Sequence, residues 1–256
     1  MAYGRHPILA KSPLRSVVCQ LKFPKILGVS SAQVRPLQER LGALYPEYVP
    51  GEVQEFLIGP GVIRQSPEAE RLYQFRSTDG AWAVSVSSDS VALESSKFPG
   101  YEAFATRWHK VVGDAVEVLG IKYQDRFGLR FINEIDMPPT DALPRMREMI
   151  NPELIAPVGS HPRLTNLQLS LQELRLKQTD GNCTLRHGYV VKVDGTRVYI
   201  LDLDYYDEVK RELSVDGNLG ALASFNNGLY EIFRWCITDH AYKSFEPNEA
   251  SVAKRD

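Results

Sequence analysis

Between Gln54 and Ser96 the chain has no helical period, and this stretch limits the possible folds more than any other. The runs EVQEFLIG, GVIRQ, RLYQFRS, WAVSVS and SVALESS are short and are separated by turn-formers such as Gly59-Pro60-Gly61, Thr78-Asp79-Gly80 and Ser87-Ser88-Asp89. They predict an antiparallel meander of about four or five strands. A sheet with one apolar face needs a cover. The next segment offers one: Tyr101, Phe104, Trp108, Val111, Val112, Ala115 and Leu119 line one face of a long helix that stops at Gly120.

Upstream, Val17, Cys19, Leu21 and Phe23 alternate as in a half-buried strand, which Pro24 ends. Val34, Leu37, Leu41 and Leu44 then recur at helical spacing up to Tyr45-Pro46. Because proline suits only the first turn, that helix is expected to begin near Pro36, with a turn before it. Beyond Gly120 the order repeats. A strand over Tyr123 to Asp136 leads to a short helix near Leu143 to Ile150 and then to strands within 164–177, 185–193 and 197–204. A last helix carries Leu222, Phe225, Leu229, Ile232, Phe233, Cys236, Ile237 and His240.

The expectation is an α+β fold of mostly antiparallel sheets covered by two long helices, in two similar strand-helix-meander-helix halves. The first half spans 1–120 and the second 121–245, packed on the first as one unit, with 246–256 a disordered tail. Halves of this kind resemble the arrangement in TATA-binding-protein-like folds, although no residue-by-residue repeat accompanies it. In RLTNLQLSLQELRLK the leucines change parity between Leu171 and Leu174, which predicts a β-bulge near Gln172-Glu173.

Thirty basic against 32 acidic side chains leave a net charge of −2, so the molecule as a whole has no field to draw in nucleic acid or an anionic membrane. Cys19, Cys183 and Cys236 form no CxxC pair and read as buried thiols in a reducing, cytoplasmic setting. No run nears the ~20 apolar residues of a membrane helix, and the N-terminus lacks a signal-length apolar stretch, so no membrane association is expected.

Several segments together resemble one family: PLRSVVCQLKF, the helix closing on Leu-Tyr-Pro, Gly100-Tyr101 opening a long helix, LRFINEIDMP, VYILDLDYYDE and LYEIFRWCITDHAYKSF. It is a patchily distributed, functionally uncharacterised prokaryotic protein family of similar length. The strongest markers are Arg130-Phe131-Ile132-Asn133 and Leu201-Asp202-Leu203-Asp204. The resemblance implies a prokaryotic, single-family chain, and a role beside a partner gene in a mobile or defence cassette. It carries over no catalytic residue. The family pattern has acids in the first strand where this chain has Ser16 and Gln20, which weakens any scheme needing carboxylates there.

Asp202 and Asp204 project from one side of a strand, and paired carboxylates at this spacing can hold a divalent cation when phosphate and water complete the shell. Asp194 and Asp207 could add ligands. Glu134 and Asp136 share a side with Arg130 and read as an ion-pair ladder. Arg126, Arg130, Arg175, Lys177, Arg186, Lys192 and Arg197 recur on the later strands, and with Tyr189 or Tyr199 could take phosphates and stack bases. Their parities differ between strands, so convergence on one face is not required. The five histidines have no zinc spacing, and no phosphate-binding loop or nucleophile elbow is present.

Residues 138–162 hold six of the sixteen prolines and read as a surface excursion or flap, with Met137, Met146, Arg147, Met149 and Ile150 as candidate binding residues. The leading expectation is a non-enzymatic binding or regulatory protein that needs no cofactor and acts through a partner protein. The alternatives are a metal-dependent phosphate or nucleotide-processing enzyme using Asp202 and Asp204, and a nucleic-acid binder using the basic strands.

Overall fold

The computed structural model describes residues 6–52, 71–156, 158 and 167–248. Its elements in order are β1 (Ile8–Leu9), β2 (Leu14–Lys22), α1 (Ser31–Leu41), β3 (Glu47–Glu52), β4 (Arg71–Arg76), β5 (Trp82–Val86), β6 (Ser90–Ser95) and α2 (Tyr101–Leu119). There follow β7 (Tyr123–Gln124), β8 (Arg126–Asp136), α3 (Ala142–Met149), α4 (Pro152–Ile155), β9 (Leu169–Lys177), β10 (Asn182–Val191) and β11 (Arg197–Asp207). The chain closes with β12 (Arg211–Glu212), α5 (Val215–Cys236), α6 (Asp239–Ser244) and β13 (Pro247–Asn248).

Nine of these strands form one sheet in the order β3-β4-β5-β6-β2-β8-β11-β10-β9, and every neighbouring pair is antiparallel. β2 and β8 meet at its centre, with Val17, Cys19 and Leu21 opposite Phe131, Leu129 and Phe127. These six side chains are buried. α2 lies against β6, α5 lies against β8 and β11, and the two helices touch each other. Trp108 of α2 packs on Phe127, which in turn stacks on Phe225 of α5. Alternate residues of the strands therefore face a helix layer, and the others face away from it.

Several elements depart from the expectation. α1 starts at Ser31, one turn before Pro36, because the Ser30 N–H donates to Gln33 Oε1 (3.0 Å) and anchors the first turn. The helix forgoes only the bond that Pro36 cannot donate. β3 contains Pro50 and Gly51, which an edge strand tolerates. EVQEFLIG and GVIRQ lie outside the described residues, apart from Glu52.

The pairing of β9 with β10 is continuous from Leu169 to Lys177, so the predicted bulge is absent. The leucines change parity because Leu169 and Leu171 face away from the helix layer while Leu174 and Leu176 face toward it. Gly188 of β10 permits this pairing: at φ +152° its added Cβ would fall 1.7 Å from the Ser170 carbonyl oxygen. The expected tail is structured at its start, since Pro247 and Asn248 pair with β1 and Lys11 bridges to Glu246. Residues 249–256 lie outside the described residues.

Trp108 and Phe233 are both buried on the sheet-facing sides of the long helices. Trp108→Ala and Phe233→Ala should each cost about 3–5 kcal/mol, read by equilibrium unfolding in urea.

Candidate functional site

The face of the sheet turned away from the helices carries a ladder of opposite charges. Asp202 is 1 % exposed there, because Arg130 forks onto it from β8 with Nε–Oδ1 and Nη2–Oδ2 both at 2.7 Å. Arg186 closes on it from β10 at 3.6 Å and also donates to Glu173 of β9 at 2.8 Å. Arg175 reaches the same Glu173 at 2.6 Å. One rung along, Arg126 donates to both oxygens of Asp204 at 2.9 Å and lies 4.5 Å over the Tyr206 ring. Gly128 makes room for this, since a Cβ there would meet the Arg126 guanidinium at 2.8 Å. Its partner Asp202 holds the Arg130 guanidinium above its ordinary value through their hydrogen bonds.

These contacts place each expected residue. Asp202 and Asp204 are brought together, but as acceptors for arginine forks, and their oxygens are not free for a cation. Asp194 caps its own turn by accepting from the Thr196 N–H, and Asp207 pairs with Arg211, so neither joins them. Among the described residues no group of three or more His, Cys, Asp or Glu could hold a metal. Glu134 pairs with Lys192 (2.7 Å) and with Arg15, which also reaches Asp136, while Arg130 serves Asp202 instead.

Arg126, Arg130, Arg175 and Arg186 do converge on one face, which their parities did not require, because the register aligns Arg130 with Asp204, Asp202 with Arg186, and Arg186 with Glu173. Carboxylates arrive with them and cancel the charge a phosphate backbone would need. Tyr189 and Tyr199 lie on the opposite, helix-facing side and are buried.

Four of the five candidate binding residues in the proline-rich segment are in the core: Met137, Met146, Met149 and Ile150 are all buried, and only Arg147 is exposed. α3 packs on α6, Ile150 bridges Ile237, and the Thr238 N–H donates to the Met149 carbonyl. These four buried side chains are not available to a surface contact. Residues 157 and 159–162 are outside the described residues.

The surface that sequence reasoning missed lies at the sheet edge. Among the described residues β9 pairs only with β10, so its other side presents backbone groups that no described strand takes up. Between β9 and α5 runs a groove of about 380 Å³ lined by Leu174, Leu176, Leu185, Glu231, Ile232 and Trp235. Leu174, Leu176 and Trp235 are 39, 37 and 43 % exposed. On the other face of the same strand Leu169 and Leu171 are exposed as well. The leucines recurring at 169, 171, 174 and 176, on both parities of one strand, were the available signal.

The cysteines are buried and free; burial pushes Cys183 and Cys236 up to about 12, so these thiols stay protonated and unreactive at neutral pH. No helix among the described residues is long and apolar enough to cross a membrane. No protein-family model matches this sequence, and neither does any curated protein.

Two outcomes follow from this geometry. Arg130→Met should cost about 3–5 kcal/mol by leaving Asp202 buried without its fork, and adding Asp202→Leu should recover much of that loss in the same unfolding assay. The second concerns His187, which is buried against Tyr199 with Nδ1 2.8 Å from its hydroxyl and Nε2 unpartnered among the described residues. Burial holds this imidazole below its ordinary value. The unfolded chain then binds the proton first, so stability falls as pH drops below about 6.5, by at most about 1.4 kcal/mol per unit for this group. His187→Gln should flatten that slope between about pH 6.5 and 5, leaving the part due to His6, which burial also holds down.

Proposed function

We propose that this chain is a non-enzymatic binding protein that acts through a partner protein, docked along the free edge of β9 and the groove beneath it. The single observation behind this reading is the coincidence of a strand edge that is unpaired among the described residues with a half-exposed tryptophan and two half-exposed leucines on the same groove. An added strand would take the backbone groups of β9 and seat a side chain against Trp235, as in recognition by β-augmentation. Tryptophan is among the residues that most often anchor such contacts.

The strand order supports a two-half reading that sharpens this one. Outward from the sheet centre run β2, β6, β5, β4 and β3 on one side and β8, β11, β10 and β9 on the other. In each direction the first strand that its half gives to this sheet is central and the meander folds back to it, followed by a long helix, α2 or α5. On this reading β9 corresponds to β4, and β3 has no counterpart among the described residues.

The comparison is physical. On β4, Tyr73 and Phe75 are 4 and 1 % exposed, because β3 brings Tyr48 to ring distances of 6.4 and 5.9 Å. On β9 the corresponding Leu174 and Leu176 stay open. A partner strand would supply the missing cover.

The test is to purify the tagged full chain from its native lysate and compare it with Trp235→Lys and with Val209→Lys, an exposed site away from the edge. The partner should be lost from Trp235→Lys and kept by Val209→Lys. Equal recovery by both variants would refute the docking site.

A further inference from the structure

We infer that the strand which completes the β9 edge belongs to a second copy of this chain, so that two sheets join antiparallel across a two-fold axis at Leu174. The inference rests on the docking reading above and names its occupant.

In a symmetric antiparallel pair each residue faces a residue pointing to the same side of the sheet, so the axis must pass through one residue facing its own copy. Along β9 the side chains facing away from the helices read Leu171, Glu173, Arg175, Lys177, and those facing toward them read Gln172, Leu174, Leu176. An axis at Glu173 sets two carboxylates against each other, and an axis at Arg175 sets two guanidinium groups together. An axis at Gln172 places Glu173 against Leu171 and leaves both charges unmatched. Axes at Leu171 and Leu176 fail as well, the first setting Glu173 against Leu169 and the second setting Arg175 against Lys177, whereas the axis at Leu174 serves both faces. It puts Glu173 of each copy opposite Arg175 of the other, twice over, and lays the Lys177 stem along Leu171.

On the helix side the same register sets Leu174 against Leu174 and brings the two grooves, each with its Leu176 and Trp235, toward the axis. The Glu173 and Arg175 side chains already touch within one copy at 2.6 Å, so they are held close to the positions the second copy needs. Self-pairing thus covers exposed leucines and offsets opposite charges without any segment from elsewhere.

The experiment measures the mass of the full-length protein by sedimentation over a concentration series. The wild type should dimerise. Glu173→Arg and Arg175→Glu should each weaken the dimer by at least about tenfold, since each sets like charges across the axis. Mixed together, the two variants should associate more tightly than either alone, because the two arginines flanking Leu174 in one chain then face the two glutamates flanking it in the other. That rescue also shows that neither substitution has simply unfolded β9.

A wild type that is still monomeric at roughly 100 μM would overturn the inference. So would a dimer indifferent to both charge changes, or a mixture no tighter than its components. If the monomer nonetheless loses a captured partner on Trp235→Lys, the docking reading survives with a different occupant. If neither association nor capture responds, both fail.

Discussion

The pairing of β2 with β8 is the contact on which everything else in this structure depends. It joins two long strands, Leu14–Lys22 and Arg126–Asp136, at the centre of one continuous sheet. Because side chains alternate, a single register settles both faces at once. Facing the helices it stacks Val17, Cys19 and Leu21 on Phe131, Leu129 and Phe127; facing away it sets Val18 beside Arg130 and Lys22 beside Arg126. The apolar face supplies the driving force for collapse. The polar face is what that choice leaves over, and the charge ladder is built on it.

That ladder does more to specify than to stabilise. A carboxylate as buried as Asp202 loses hydration that one arginine fork at best offsets, so a hydrophobic replacement of the whole set would cost little. A slip of one residue between β8 and β11, however, would turn either Arg130 or Asp202 into the layer occupied by Trp108 and Phe225. The penalty for that is many times the gain from any rung. The rungs run without a break from β8 through β11 and β10 to Glu173 on β9. The position of the edge strand is therefore tied electrostatically to the centre of the sheet.

Much of this was legible in the sequence. The stripe of α2 and the αL cap at Gly120 follow from local geometry, as does the alternation of Val17, Cys19 and Leu21. The proline-rich segment misled for an identifiable reason: prolines suggested a surface excursion, yet Met146, Met149 and Ile150 stand at i, i+3 and i+4, the spacing of a buried helical stripe. The pairing of Arg130 with Asp202 could not be read, because it depends on which strands become neighbours, and β8 and β11 are separated by two helices and two other strands. Arg130 and Arg186 nonetheless sit between buried neighbours, so their direction was readable even though their partner was not. The groove was missed for a related cause: a leucine on a strand is core or surface depending on whether another strand lies beside it, and the sequence does not say where a sheet stops.

The two ends of the sheet show how differently an edge can be treated. At β3 the outer strand carries Pro50, which withdraws a backbone donor, and its Tyr48 leans inward over Tyr73 and Phe75. This is a terminated edge. β9 has no proline and no glycine between Leu169 and Lys177, its pairing with β10 is unbroken, and leucines are exposed on both of its faces. Proteins that protect a free edge by charge usually place one sign along it, so that a second copy is repelled. Here Glu173 and Arg175 have opposite signs and are two positions apart, on either side of Leu174. Such a spacing repels nothing that approaches antiparallel about that leucine. Glu173, which holds β9 to its own sheet through Arg186, and Arg175, which bonds Glu173, are arranged to accept another strand, so the ladder that fixes the register inside the molecule continues to the edge strand.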